Sequence, residues 1–131
     1  MEPITEEKSL YRYDEGKWSI RDIAQHLIDA EWVFSYRMMR FARGDKTDLP
    51  GFDQNEYVEV AHADDRSLTS LLDELKALRT ASINLCQSFT QEMMERAGTA
   101  NGYPFSVKMI AYIISGHTRR HIQVIRERYL T

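Results

Sequence analysis

The chain has 131 residues, of which 43% are hydrophobic and 28% are charged, and its formal net charge is -3. This composition is typical of a globular domain and argues against disorder, while the net negative charge argues against a phosphate-binding nucleic-acid surface. No apolar run approaches the length that crosses a membrane. The single cysteine, Cys86, cannot form an internal disulfide, which favours a reducing cytoplasm.

Residues 1–17 show no clear period, and we expect an irregular lead-in there. A helix is predicted over residues 19–43, because apolar residues then recur at the helical period. Ser19 with Asp22 three residues later is typical of a capping box at its start. Residues 45–66 are predicted to form a long loop, since Pro50-Gly51 indicates a turn. Loops of this length are often lids or binding segments.

Two further helices are predicted, over residues 67–95 and 106–129. The first has a leucine stripe after Ser67, and the second has an apolar stripe after Pro104 and Ser106. No segment is predicted to be a strand. We therefore expect a single all-α domain built as a helical bundle.

Two histidines, His117 and His121, lie four residues apart on the last predicted helix. This spacing places both imidazoles on one face, with Cβ atoms roughly 6 Å apart. They fall on the apolar stripe between Ile114 and Ile125, so both rings are expected to face inward. Buried imidazoles need hydrogen-bond partners or a shared metal ion.

His26 is the third candidate ligand, because Ile23 and Leu27 place it on the inward face of the first helix. Helical bundles build metal sites from such facing side chains, and three imidazoles with one open position are typical of a catalytic site. The ligand type does not choose among zinc, nickel, copper, iron and cobalt. The alternative is three histidines that are hydrogen-bonded in the core without metal. His62 is interpreted as a solvated loop residue, with a lid ligand as the alternative.

Three segments of the chain carry a family resemblance, and they are Gly16-Lys17-Trp18-Ser19-Ile20 with His26-Leu27, Leu49-Pro50-Gly51-Phe52-Asp53, and Gly116-His117-Thr118-Arg119-Arg120-His121 with Arg126-Glu127-Arg128-Tyr129-Leu130. From about Tyr11 onward, the chain resembles the DinB superfamily. The resemblance implies a four-helix bundle that binds a divalent metal, often zinc or nickel. It maps the three histidine ligands onto His26, His117 and His121.

The resemblance also suggests a reaction, because family members include transferases and isomerases that use small thiols such as bacillithiol. We therefore expect a small-molecule substrate and the transfer of a small thiol onto an electrophile. Metal-assisted hydrolysis is the second enzymatic interpretation. The third is a non-catalytic, dimeric helical module for stress response or binding.

Supporting roles are assigned to polar residues on the first helix. Asp22 and Asp29 lie about one turn on either side of His26 and either orient its imidazole or belong to a solvated face. Glu31 matches the family pattern and is either an acid behind the ligands or a surface partner of arginine. Arg37 is a candidate contact for a substrate carboxylate, with helix-surface charge as the alternative.

One departure from the family concerns the segment before Trp18. Family members usually have a further helix there, and residues 1–17 are too short and irregular to replace it. Three amphipathic helices would then expose an apolar strip, and such strips usually mark an interface. Either the chain is a fragment or variant whose bundle keeps an open groove, or another subunit covers the groove. We expect the second and predict a homodimer.

Overall fold

A computed structural model describes residues 4–130 of the protein. Its helices and strands follow in the order α1 (Ile20–Ala42), α2 (Gln54–Ala61), α3 (Leu68–Gln87), α4 (Gln91–Glu95), β1 (Ala97–Ala100), β2 (Tyr103–Ser106) and α5 (Val107–Arg128). The three long helices are those predicted from the apolar period. Both α3 and α5 pack on α1, which is therefore the central helix of the bundle.

Serine caps determine where the long helices begin. Ser19 Oγ accepts a hydrogen bond from the Asp22 amide, and the Asp22 carboxylate accepts one from the Ser19 amide. Ser67 and Ser106 cap α3 and α5 through their hydroxyl groups in the same way. These caps satisfy amides that have no partner within the helix, which confirms the predicted helix starts.

The lead-in is ordered against the bundle over its described part, residues 4–17. It contains a 3₁₀ turn at Lys8–Leu10. The Glu6 carboxylate pairs with Arg21 at 3.0 Å and accepts the Leu68 and Thr69 amides at 2.7 and 3.2 Å. These two amide hydrogen bonds lower the pKa of Glu6. The lead-in thus joins the start of α1 to the start of α3. Residues 1–3 of the predicted lead-in lie outside the described residues.

The predicted loop over residues 45–66 contains regular structure, so this expectation was wrong in part. Asp53 accepts hydrogen bonds from two amides and caps α2. His62 ends α2 with a positive φ of 53°, and a 3₁₀ turn follows at Ala63–Asp65. The helix is short and mostly exposed, so its sequence has little apolar period.

The helix predicted over residues 67–95 is broken after Gln87. Ser88 Oγ donates to the Leu85 carbonyl, and Thr90 Oγ1 accepts the Met93 amide and starts α4. Hydroxyl side chains of this kind compete with the backbone ladder of a helix. The single predicted helix is therefore two helices.

The expectation that the chain has no strand was also wrong. The antiparallel strands β1 and β2 pair Ala97 with Ser106 and Ala100 with Tyr103. Asn101 and Gly102 form the turn, with φ angles of 53° and 79°. Two consecutive positive φ values are typical of a type I′ hairpin, for which Asn-Gly is a preferred pair.

The apolar core consists of two clusters at opposite ends of the bundle. The first cluster packs the start of α1 against α3 and the end of α5, and its buried members include Ile20, Ile23, Leu27, Ile28, Leu68, Leu71, Leu78 and Tyr129. The second packs the end of α1 against the hairpin and the start of α5, and its members include Met38, Phe41, Leu49, Ala100, Val107, Ile110 and Ile114. On α5, the histidines fall between the two clusters.

Within residues 4–130, none of the helices combines the length and the apolar character that crossing a membrane requires.

Candidate metal centre

His26 lies on α1 with its ring buried and 2% of the residue exposed. The Trp18 ring packs on it, with ring centroids 5.1 Å apart. Trp18 is held in place because its carbonyl accepts the Tyr129 hydroxyl from the end of α5. His26 therefore sits where the end of α5 closes over the start of α1.

His117 and His121 occupy successive turns of α5, and both are half-buried. Their ring centroids lie 4.7 Å apart. The Phe34 ring of α1 approaches His117 edge-on at 5.9 Å. Both histidine side chains point into the bundle, as the sequence predicted.

The three histidines converge on one point between α1 and α5. The ring centroid of His26 lies 4.9 Å from those of both His117 and His121. His26 Nε2 and His117 Nε2 are 3.0 Å apart, and one ring nitrogen from each histidine lies within 4.8 Å of the other two. The structure thus brings together all three predicted residues.

Burial keeps these rings neutral near pH 7. Burial is the main cause that lowers the pKa of His26 to about 4, and the neighbouring His117 and His121 contribute to this value. Burial likewise lowers the pKa of His121 to about 4, with His117 and Arg120 adding to the effect. The pKa of His117 is lowered by burial. A neutral imidazole has one nitrogen with a free lone pair, which is the form that binds metals.

The donor set fits a divalent transition metal. Nitrogens bound to one such ion at about 2.1 Å lie at most about 4.2 Å from each other. The observed nitrogens lie within 4.8 Å, so small ring movements suffice to bring them into range. Three imidazoles suit zinc, nickel, copper or iron, and they leave a tetrahedral ion one further position.

Comparison with known proteins agrees with this architecture. A sequence model of the DinB superfamily matches residues 1–125. The chain belongs to the DinB superfamily. Among curated proteins, none matches the chain.

The fold also matches a solved structure, YfiT from Bacillus subtilis, with a TM-score of 0.84 and 18% sequence identity over 95% of this chain and 73% of YfiT. YfiT is described as a probable metal-dependent hydrolase with an unusual four-helix bundle topology. At this identity the likeness shows the fold, and it confirms the bundle predicted from the sequence.

Two acids that were expected to support the metal centre, Asp22 and Asp29, have other partners. Asp22 is buried in the cap of α1 and pairs with Arg12 at 2.6 Å, so a solvated position was wrong for it. Asp29 is half-buried and accepts a hydrogen bond from Gln25 at 3.0 Å. Burial raises the pKa of Asp29.

Arg37 and His62 occupy contrasting positions. Arg37 is buried, with 7% exposed, and donates to the Pro50 carbonyl at 2.9 Å. No carboxylate pairs with it among residues 4–130, and burial lowers its pKa. His62 is exposed at the end of α2 and lies outside the histidine cluster, as its solvated interpretation predicted.

Glu31 is the third expected support, and it is buried with 2% exposed. Its carboxylate faces α3, where it binds Arg79 and Ser82. The sequence analysis missed both partners. A usable indication exists, since Glu31 lies on the inward phase of α1 one turn after Leu27, and a buried carboxylate requires a cation.

An apolar cavity lies beside the candidate centre, and none of the three histidines lines it. It has a volume of about 430 Å³, and its walls come mainly from α1, α3 and α5. Its lining includes Ile23, Leu27, Leu72, Leu75, Ile122 and Ile125. On α5, Ile122 and Ile125 line this cavity, and Ile125 lies one turn after His121 on the same apolar stripe.

Proposed function

We propose that the protein is a metal-dependent enzyme in which His26, His117 and His121 hold one divalent transition metal, zinc or nickel. The observation that carries the proposal is the convergence of three neutral imidazoles from two helices, with nitrogens within 4.8 Å. A metal with an open position lowers the pKa of a bound water or thiol. The histidines supply lone pairs, and Trp18 and Phe34 pack against the rings of His26 and His117.

The reaction that we propose first is transfer of a small thiol, of the bacillithiol type, onto an electrophile. The thiol gives up its proton to solvent, and its sulfur forms a bond to the electrophilic carbon as the leaving group departs with its electron pair. This assignment rests on membership of the DinB superfamily. Thiolate is the reactive form of a thiol, and a cationic site favours it.

Arg37 supports a substrate that carries an anionic group. Its guanidinium is buried, donates to the Pro50 carbonyl and has no carboxylate partner among residues 4–130. With Phe34 it lines a cavity of about 10 Å³, which is room for about one water molecule, so the lining side chains must move to admit a carboxylate. Phe34 in turn contacts His117. A carboxylate of the thiol or the electrophile would pair with Arg37 and offset the burial that lowers its pKa.

Hydrolysis is the second candidate reaction, and the description of YfiT as a probable metal-dependent hydrolase favours it. The same three histidines would serve, with water in place of the thiol. A non-catalytic module is the remaining interpretation. It requires either a fourth protein ligand on the metal or no metal at all.

Elemental analysis of the purified protein tests the centre. We expect one transition-metal ion per chain, lost in His121→Ala and retained in His62→Ala, whose histidine is exposed outside the cluster. Helicity by circular dichroism should be the same in all three proteins. Absence of metal from the wild type in excess zinc or nickel would overturn the proposal.

Turnover assays then separate the reactions. A small thiol with a model electrophile should give a thioether product in the wild type and none in His121→Ala. Ester or amide hydrolysis without thiol would favour the second candidate. A metal-loaded protein inactive in both assays supports the non-catalytic module.

A further inference from the structure

The inference begins with the buried carboxylate of Glu31 on α1. Arg79 Nε donates to both of its oxygens at 3.0 and 2.7 Å, and Arg79 Nη2 donates to Oε1 at 2.7 Å. Ser82 Oγ donates to Oε2 at 2.6 Å. The carboxylate is thus fully partnered from α3, as a buried charge must be.

The same guanidinium continues to α5. Arg79 Nη2 donates to Thr118 Oγ1 at 2.9 Å, and Thr118 Oγ1 donates to the Ile114 carbonyl at 3.2 Å. Glu31, Arg79 and Thr118 therefore form a continuous polar link across α1, α3 and α5. Thr118 directly follows His117 and precedes His121 by three residues.

This link is important because the Arg79 side chain of α3 reaches α5 at a point where cavities separate the two helices. The apolar cavity of about 430 Å³ separates the two helices on one side, and a second cavity of about 230 Å³ separates them on the other. Thr118 lines the first cavity and Arg79 lines the second. Apolar packing between α3 and α5 is therefore open here, and the hydrogen bond of Arg79 to Thr118 spans the gap.

The link also restrains α5 against rotation about its own axis. Successive residues of a helix point about 100° apart, so Thr118 faces α3 while His117 and His121 face α1. A hydrogen bond that holds Thr118 toward α3 opposes rotation of the helix about its axis. Such a rotation would move the rings of both histidines away from His26.

We propose that Glu31, Arg79 and Thr118 form a positioning link that holds His117 and His121 against His26 and thereby sets the metal affinity of the centre. Glu31 acts here through Arg79 and α5, without itself binding a ligand histidine. The proposal rests on the metal centre proposed above. It goes further because it makes the metal affinity depend on Arg79 of α3, a helix that holds none of the three histidines.

The test is the metal dissociation constant of Thr118→Val, measured by competition with a chromogenic chelator. Valine keeps the β-branched shape and removes the oxygen that Arg79 binds, while the pair of Glu31 with Arg79 remains. We expect about 10-fold weaker zinc binding, the lower end of the range for groups bonded directly to metal ligands, because the link acts through the position of α5. Thr118→Ser retains the hydroxyl and should restore the wild-type affinity.

Thr80→Val is the matched control, because Thr80 Oγ1 also donates to a helix carbonyl, that of Lys76, and the residue is exposed on α3. It should bind zinc like the wild type. Arg79→Lys provides a second route. It keeps the charge but loses the planar fork, so it should weaken zinc binding like Thr118→Val.

A spectroscopic measurement separates positioning from a general loss of stability. Cobalt in place of zinc reports ligand geometry through its visible d–d bands, and these should change in Thr118→Val and Arg79→Lys but not in Thr80→Val. Unchanged affinity and bands in both variants would overturn this proposal while leaving the metal centre intact. A wild type without metal would overturn the proposed function, and this proposal with it.

Discussion

His26 Nε2 on α1 and His117 Nε2 on α5 lie 3.0 Å apart, although 91 residues separate them in the chain. The native fold creates this approach, and the unfolded chain has no equivalent of it. A ligand of these nitrogens therefore binds the folded state preferentially. Binding of this kind adds to the free energy of unfolding by mass action.

Metal should accordingly raise thermal stability. At free metal 100-fold above the dissociation constant, we expect a gain of about 2.7 kcal/mol in the free energy of unfolding. Calorimetric melting with added zinc, and again after chelation, measures it. His117→Ala should melt at one temperature under both conditions, and an equal rise in that variant would contradict the assignment.

The metal-free chain should lose stability as the pH falls from about 6.5 to about 4. His26 and His121 have a pKa of about 4 in the folded chain, below the ordinary value of 6.5, because of their burial. In this interval the unfolded chain binds protons that the folded chain does not, so the free energy of unfolding falls. Urea unfolding of the chelated protein at several pH values measures the slope.

The variant His121→Gln isolates this contribution from other titrating groups. It removes one histidine with a lowered pKa and should have a shallower slope than the wild type. Equal slopes in the two proteins would show that His121 takes up its proton as readily in the folded chain as in the unfolded one.

Gly98 should resist substitution because of its contact with Phe41. A methyl group on Gly98 would overlap the Phe41 ring, which is buried in the second apolar cluster. Gly98→Ala should lower the free energy of unfolding by about 1–3 kcal/mol, the range for overpacking. Chemical denaturation measures the change.

Gly116 provides the opposite control. It lies within α5, and nothing is within 4 Å of an added methyl group. Gly116→Ala should raise the free energy of unfolding by about 0.5–1 kcal/mol, since alanine favours the helix. No loss at Gly98 would contradict the contact with Phe41, and a loss at Gly116 would contradict the open space described there.

The homodimer stays a prediction. It can be tested at the apolar cavity of about 430 Å³ that α1, α3 and α5 line. Leu72 lines this cavity and is 41% exposed. Light scattering at micromolar concentration should give twice the mass of one chain, and Leu72→Glu should give the mass of one. Val60→Glu on α2, at an exposed apolar residue elsewhere, should remain dimeric. A monomeric wild type would contradict the prediction.

The sequence predicts the long helices and the histidine triad well, because both depend on local period. Ser19, Ser67 and Ser106 indicate the helix starts, and the spacing of His117 and His121 follows from helix geometry. The meeting of these two with His26 requires a tertiary contact. Family resemblance supplied that contact, whereas the residue pattern alone left a metal-free core open.

The elements that sequence analysis missed are short or depend on pairing. The strand Ala97–Ala100 has no apolar alternation, so only Asn101-Gly102 indicated the hairpin. The partner of Glu31 lies 48 residues away on another helix. Charge alone cannot select Arg79 among the 17 lysines and arginines of the chain.

On α5, the histidines occupy a short interval between two apolar clusters that close at opposite ends of the bundle, at Ile114 on one side and Val124 on the other. The α5 residues that pack the two clusters are therefore different from the α5 histidines that form the candidate metal centre. Drift in the histidine interval can alter or abolish a reaction while both ends of the bundle remain packed. Substitutions confined to this interval should therefore change what the site binds while they leave both clusters intact.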